Sequence, residues 1–266
     1  MAELRSREAG DPADPAVLLL HGYPESSHMW SEVLPHVASA GFHALAPDLA
    51  GYGDSEADPP HTWQRHVEAV ERFRTQHGLE RVALVVHDWG GLIGLRWACD
   101  HPDAVWALAI SDTGFWADGS WHGLAEAMRT PEQGEQLVDG MTEEGFAAML
   151  GQISSGISEQ DAAEYFKAFG NEERRRGQLE LYRSGNFEEL EPYEGRVAQL
   201  GVPALVLWGE DDPFAPVAGA HRFHAELPGS ELEIIEGAGH FVVDDAPERY
   251  AERLVAFLTT ARDTTG

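Results

Sequence analysis

Short apolar runs alternate with helical segments along this 266-residue sequence, and the alternation restricts the folds that the chain can adopt. Six runs have the character of buried parallel strands: AVLLLHG, HALAPDL, RVALVVHD, VWALAISD, PALVLWGE and ELEIIEG. Segments with helical spacing, such as TWQRHVEAVERFRTQHG, lie between the first four runs and end in glycine. The pattern predicts an open, mostly parallel sheet with helices on both faces.

The alternation stops after Asp112 and resumes at VPALVLWGEDD. Residues 113–200 are rich in helix formers and contain no convincing strand. An insertion at this place would lie over the carboxyl ends of the strands, where open α/β sheets bind ligands. We therefore expect a core domain made of residues 1–112 and 201–266, covered by a helical cap of residues 113–200.

Charge and cysteine content limit the partners of the chain. With 18 basic and 46 acidic residues the net charge is −28, which disfavours nucleic acid, anionic lipid and anionic substrates. The single cysteine, Cys99, rules out an internal disulfide framework and suits a reducing compartment. The first residues lack the apolar core of a signal peptide, and no run approaches the ~18 apolar residues of a membrane span. We expect a cytoplasmic monomer or small homo-oligomer that acts on a small apolar or weakly polar organic molecule.

The stretch RVALVVHDWGGLIG predicts a strand that turns sharply into a helix, with Asp88 at the tip of the turn. Such a turn strains the tip residue and exposes its side chain above the sheet. Gly90 leaves room for the strand and helix to cross closely, and the helix N-terminus stabilises an ionised carboxylate. Asp88 could be a plain helix N-cap, but the residues at two other strand ends favour a nucleophile.

Those strand ends supply a base and an acid. His240, in EGAGHFVVDDAPE, follows the last strand, while Asp211 and Asp212, in LVLWGEDDPFAP, follow the preceding one. Nucleophile, acid and histidine is the chain order of the catalytic triad on this type of sheet. We favour Asp212, next to Pro213, over Asp211. No pair of histidine, cysteine or carboxylate residues has the spacing of metal ligands, so we expect neither a metal nor a cofactor.

Three motifs, HGYP, VVHDWGG and GAGH, together resemble those of the α/β-hydrolase superfamily, in the branch with an aspartate nucleophile that contains haloalkane dehalogenases and epoxide hydrolases. The likeness runs nearly from end to end. It implies an α/β-hydrolase fold with a helical cap after the sixth strand, although the N-terminus looks short for the outermost strand. It also implies that Asp88 forms an alkyl ester, which water activated by His240 hydrolyses. The backbone N–H groups of Tyr23 and Trp89 would stabilise the oxyanion.

The two enzyme classes differ in how they stabilise the leaving group. By resemblance, the indole of Trp89 would donate to a halide, and a cap tryptophan, Trp116 or Trp121, would be the second donor. An epoxide oxygen needs proton donors instead, for which epoxide hydrolases use two cap tyrosines. Tyr182 stands where one of them is expected, and Tyr165 is a weak substitute for the other. Large aromatic side chains in a cap also pack simply as core.

Other motif positions divide between the two classes. Val86, two residues before the nucleophile, resembles dehalogenases, whereas epoxide hydrolases usually have glycine there. The loop HGYPES resembles the epoxide hydrolase form. We predict a haloalkane dehalogenase first, with an epoxide hydrolase as the alternative. A non-enzymatic ligand receptor on the same fold is a minor alternative, against which the complete triad argues.

Overall fold

A seven-stranded sheet forms the centre of the computed structural model, which describes residues 3–265. The strands are β1 (Ser6–Ala9), β2 (Ala16–Leu20), β3 (His43–Pro47), β4 (Val82–His87), β5 (Val105–Ser111), β6 (Ala204–Gly209) and β7 (Glu231–Ile235). Their order across the sheet is β1-β3-β2-β4-β5-β6-β7, with β1 antiparallel to β3 and all other pairs parallel. Every residue of β2 to β6 is buried, which explains why these strands have continuous apolar sequences. The predicted parallel sheet is confirmed.

Helices cover the sheet and fill the segment between β5 and β6. In chain order they are α1 (Val33–Ser39), α2 (Trp63–Gln76), α3 (Trp89–Asp100), α4 (Gly123–Arg129), α5 (Gln133–Gly140), α6 (Glu143–Ile153), α7 (Glu159–Phe166), α8 (Glu172–Arg183), α9 (Arg196–Gln199), α10 (Ala218–Glu226), α11 (Val242–Asp245) and α12 (Pro247–Thr265). Short 3-10 helices occupy Ser27–Trp30, Pro102–Ala104, Lys167–Phe169 and Phe187–Tyr193. Within residues 3–265, no helix has the length and apolar character required to cross a membrane.

The insertion between β5 and β6 contains α4 to α9 and, in its described residues, no strand. It follows the fifth strand of this chain. The expected position after the sixth strand counts an additional outermost strand, which residues 3–265 do not form. Four of its helices begin at a side chain that accepts a backbone N–H of the first turn, which fixes where each helix starts: His122, Thr142, Ser158 and Asn171.

Candidate active site

Asp88 lies at the turn between β4 and α3, with φ 47° and ψ −120°, a conformation that residues other than glycine rarely adopt. Neighbouring glycines allow this turn. A Cβ atom on Gly90 would lie 2.4 Å from the carbonyl oxygen of Leu20, and one on Gly22 would lie 2.5 Å from Cβ of Asp88. The predicted sharp strand-to-helix turn is confirmed.

The carboxylate of Asp88 is held in its ionised form. Its Oδ1 accepts the backbone N–H of Tyr23 at 2.7 Å, and its Oδ2 lies 3.6 Å from Nε2 of His240. Burial alone would raise the pKa of Asp88. The hydrogen bond and charge of His240, with smaller contributions from His87 and the Tyr23 N–H, instead lower that pKa to about 2. An oxygen of Asp88 is therefore available as a nucleophile at neutral pH.

Asp212 and His240 form the other half of the arrangement. Nδ1 of His240 lies 2.8 Å from Oδ2 of Asp212, whose Oδ1 accepts the N–H groups of Phe214 at 2.7 Å and Ala215 at 2.9 Å. Burial opposes the charge on Asp212, but the histidine and these N–H groups hold its pKa below the usual value. Burial also lowers the pKa of His240, and the nearby carboxylates outweigh this and raise it well above its usual range. The structure brings Asp212 to the histidine and leaves Asp211 exposed.

Trp89, Trp121 and Tyr182 lie together in the cavity wall next to Asp88. The ring of Tyr182 meets that of Trp89 edge-on, with centroids 5.1 Å apart, while Trp121 stacks on Trp89 at 5.6 Å. Burial raises the pKa of Tyr182 well above its usual value, so the phenol stays protonated. Three of the aromatic residues that the sequence singled out thus surround one site.

The donor groups of Trp116 and Tyr165 are engaged elsewhere, although Trp116 lines a cavity that also contains Asp88. The indole N–H of Trp116 donates to Glu226 at 2.8 Å, and its ring packs against Phe223 with centroids 4.3 Å apart. Since an indole has a single N–H, this bond corrects the expectation that Trp116 donates to the leaving group. The hydroxyl of Tyr165 donates to Asp244 at 2.7 Å, which likewise removes it as a donor near Asp88.

Two cavities meet at Asp88. The first, of about 170 Å³, is lined mainly by apolar side chains of the insertion, among them Leu124, Met128, Leu137, Met141, Met149 and Ile153. The second, of about 420 Å³, contains Trp89 and Trp121 and has more polar walls, including Asp118, Ser120 and Arg222. Within residues 3–265, no group of three or more histidine, cysteine or carboxylate side chains is arranged to hold a metal ion.

His122 lines both cavities, and its sequence context does not reveal this position. It caps α4: its Nδ1 accepts the backbone N–H of Ala125 at 3.4 Å, so in the neutral ring the proton lies on Nε2. Burial lowers the pKa of His122, and the charge of Asp88 opposes this only in part. The residue therefore adds a neutral N–H donor to the cavity wall. Its neighbours WHGL contain no motif that would have distinguished it from a packed histidine.

Asp112, at the end of β5, is a second residue that the sequence motifs do not single out. It is fully buried, has φ 45°, and accepts the N–H of Gly209 through Oδ1 at 3.0 Å. Burial and the charge of Asp212 raise the pKa of Asp112 well above its usual value, so it is protonated and hydrogen-bonds to Asp212. Asp212, which contacts His240, thus accepts a hydrogen bond from a neutral carboxyl group.

Known proteins share this chain's fold and much of its length. Residues 15–247 match the family model described as the alpha/beta hydrolase fold. A haloalkane dehalogenase of Psychrobacter cryohalolentis is 30% identical over 264 residues, covering 92% of this chain and 84% of its own length. The crystal structure of a haloalkane dehalogenase from Bradyrhizobium elkani matches 99% of this chain and 96% of its own with a TM-score of 0.83 and 25% identity. A Pseudomonas aeruginosa protein with a provisional assignment as an epoxide hydrolase matches 100% and 94%, with a TM-score of 0.83 and 27% identity.

Proposed function

The chain belongs to the α/β-hydrolase family, and from this premise we propose that it hydrolyses carbon–halogen bonds through a covalent ester on Asp88. One arrangement carries the proposal: an ionised Asp88 lies 3.6 Å from Nε2 of His240, whose Nδ1 lies 2.8 Å from Asp212. A carboxylate attacks an sp³ carbon directly and needs no base to remove a proton first. A halide, which leaves with its electron pair, suits this nucleophile.

In the first step, Oδ2 of Asp88 attacks the carbon that bears the halogen. The Tyr23 N–H holds Oδ1 at 2.7 Å, so the second oxygen is the one directed at the substrate. A carbon–oxygen bond forms, the carbon–halogen bond breaks, and no proton moves. The indole N–H groups of Trp89 and Trp121 stabilise the departing halide in the cavity that these residues line.

In the second step, water attacks the carbonyl carbon of the ester. Once Asp88 is esterified it no longer carries the charge that helped to keep His240 protonated, so the histidine can accept a proton from water. Asp212 stabilises the resulting imidazolium. The oxyanion on Asp88 is stabilised by the N–H groups of Tyr23 and Trp89, each worth about 3 kcal/mol in comparable sites. The net products are an alcohol, a halide and one proton.

We further propose that residues 113–200 act as the cap domain over a core of residues 1–112 and 201–266. The apolar cavity next to Asp88 is walled by side chains of α4, α5 and α6, so the insertion selects a small apolar or weakly polar substituent. The single cysteine, Cys99, is free and buried, which is consistent with a reducing cytoplasm.

Epoxide hydrolysis is the second candidate function, and one observation favours it. An epoxide oxygen must be protonated as the ring opens, and Tyr182 presents a buried, protonated phenol in the cavity wall beside Asp88. Its ring also lies 5.2 Å from that of Tyr23. A halide requires no such proton.

Two substrates separate the candidates. Halide release from 1-bromohexane without diol formation from styrene oxide supports the proposed function, whereas diol without halide overturns it in favour of the second. The variant His240→Gln should trap the alkyl group on Asp88, visible as a mass increase of the peptide that contains this residue. An adduct on another residue, or full activity in Asp88→Ala, contradicts the mechanism.

A further inference from the structure

Glu25 and Asp244 form a buried carboxyl pair outside the triad. Oε1 of Glu25 and Oδ2 of Asp244 are buried, and within residues 3–265 neither has a hydrogen-bond partner while both carboxyl groups are ionised. A protonated Glu25 supplies the missing donor, and its hydrogen bond lowers the pKa of Asp244. Such a bond requires that the pair retain a proton, because two facing carboxylates in a buried site repel each other.

Glu25 contacts the segments that position Asp88. Its Oε2 accepts the N–H of Gly22 at 3.3 Å, and the next residue, Tyr23, donates its own N–H to Asp88 at 2.7 Å. Nε2 of His87, the residue before Asp88, lies 3.4 Å from the same oxygen of Glu25. The Glu25 side chain therefore joins the loop of the oxyanion donor to the end of β4.

Asp244 contacts the segment that carries the histidine. It belongs to α11, which begins directly after Phe241 and hence close to His240. Its Oδ1 accepts the hydroxyl of Tyr165, from α7 of the insertion, at 2.7 Å. Asp245 ties the same segment, since its Oδ2 accepts the N–H of Gly239 at 2.9 Å. The carboxyl pair thus connects the oxyanion loop with the histidine segment and with the insertion.

We propose that Glu25 and Asp244 are positioning residues for the chemistry on Asp88 and that they act only while the pair holds a proton. Their effect on turnover rests on the proposed function, but the proton-sharing bond does not. When the pair loses its last proton, two negative charges face each other and the connection opens. The Tyr23 N–H then loses its fixed position at Asp88, and the oxyanion loses a donor.

The charged groups around Glu25 favour the proton-holding form. Burial is the largest cause of the raised pKa of Glu25, and the charges of Asp244 and Asp88 add to it. His240 and the N–H of Gly22 act in the opposite direction. His87 contributes no charge at neutral pH, because burial and the proximity of His240 lower its pKa to about 3.

The groups around Asp244 also favour the form of the pair that holds a proton. The titratable groups near it are Glu25, Asp161, Tyr165 and Asp245, with His28 and Glu32 in the wall of the same small surface pocket. Burial raises the pKa of Asp244 to about 7, with smaller upward contributions from Asp161 and Asp245, while the hydrogen bonds of Tyr165 and Glu25 lower it. Both pKa values are thus raised, and the pair titrates as one buried unit.

Thermal unfolding without substrate tests the pair independently of any activity. A carboxyl group whose pKa is raised by folding contributes stability that is present at low pH and is lost as the pH rises through the folded-state pKa. The contribution of the pair to Tm should therefore fall as the pH rises from about 5 through the pKa of Asp244, about 7. Glu25→Gln and Asp244→Asn, which cannot ionise, should each lose a large part of this slope. Glu159→Gln, at the exposed start of α7, is the matched control: it removes the same charge and should keep the slope of Tm against pH.

Turnover tests the positioning role. Glu25→Gln keeps a donor for Asp244 and an acceptor for Gly22, so its kcat at pH 7 should stay within about threefold of the unmodified protein and should persist at alkaline pH. Glu25→Leu removes both bonds and should lower kcat at least about tenfold with little change in KM.

An unchanged pH–Tm slope in Glu25→Gln and Asp244→Asn overturns the proton-sharing pair, whatever the substrate proves to be. A changed slope with an unaltered pH–rate profile in both variants overturns the positioning role alone. Absence of turnover on every substrate contradicts the proposed function, and the unfolding data alone then decide whether the pair shares a proton. Should Glu25→Leu fail to fold, the Gln and Asn variants decide both questions.

Discussion

Tyr182 lies edge-on to Trp89, with 5.1 Å between ring centroids and an interplanar angle of 85°. A donor typical of a halide site therefore lies beside a donor typical of an epoxide site. A halide can accept the indole N–H without the phenol. An epoxide oxygen needs the phenolic proton itself, so the two reactions depend differently on this pair.

Tyr182→Phe exploits that difference. Removing the hydroxyl keeps the ring packing and leaves the indole N–H of Trp89 in place, so halide release should change by less than about fivefold. Epoxide opening should fall about 100-fold or more, because the general acid is lost. Initial rates of both reactions, measured on one preparation, check this; a large loss of dehalogenation would show that the phenol itself is a halide donor.

Trp89→Phe should produce the reverse result. The indole N–H is expected to donate to the halide, and a hydrogen bond to a charged group is worth about 1.5–3 kcal/mol, so kcat for halide release should fall about 10- to 100-fold. Trp116→Phe is the matched control, since that N–H donates to Glu226, and it should leave halide release unchanged. Equal losses in both variants would contradict the assignment of these two indoles.

Residues whose role depends on strand order were the predictable part of the site. Asp88 and Asp212 follow the buried strands β4 and β6, His240 follows the partly exposed β7, and parallel strands bring their carboxyl ends to one edge. Trp116 was misjudged because the direction of its N–H depends on Glu226, 110 residues further along the chain. His122 was missed because a helix cap sets its tautomer, which no local motif indicates.

The strands of the fold also divide into those that the sequence predicts and one that it does not. The strand β1 has partly exposed residues and pairs with β3 through its backbone, from Ser6 opposite Pro47 to Ala9 opposite Ala44. It therefore lacks the apolar run that identified the other six strands. The sequence did not predict Asp112 as a site residue for a related reason. Its position at the end of a strand was visible in the sequence, but its protonated state arises from burial next to Asp212, a contact across neighbouring strands.

Asp112→Asn tests that protonated state. The amide can still donate to Asp212 and accept the N–H of Gly209, so hydrolysis of the alkyl ester should stay within about threefold of the unmodified rate. Asp112→Ala removes the donor and leaves Asp212 less well held, and should slow the same step about tenfold. Single-turnover measurements of ester decay distinguish the two. If Asp112→Asn were as slow as Asp212→Asn, the ionised acid would be Asp112.

The pH dependence of the two chemical steps should differ. The pKa of Asp88 is about 2, so alkylation should be insensitive to acid down to about pH 4. Ester hydrolysis requires neutral His240, whose pKa Asp212 raises, so this step should slow as the pH falls and the histidine becomes protonated. The alkyl ester should therefore accumulate at low pH, which rapid-quench mass spectrometry of the Asp88 peptide measures directly.

Asp212→Asn supplies the control for that dependence. Removing the carboxylate lowers the pKa of His240, so the acid limb of ester hydrolysis should move to lower pH even though the maximal rate falls. The rate of alkylation near neutral pH should change less than that of ester hydrolysis, because Asp88 keeps the hydrogen bond of the Tyr23 N–H and alkylation needs no base. An acid limb that stayed in place in Asp212→Asn, or one that appeared in alkylation near neutral pH, would mean that a group other than His240 is the base.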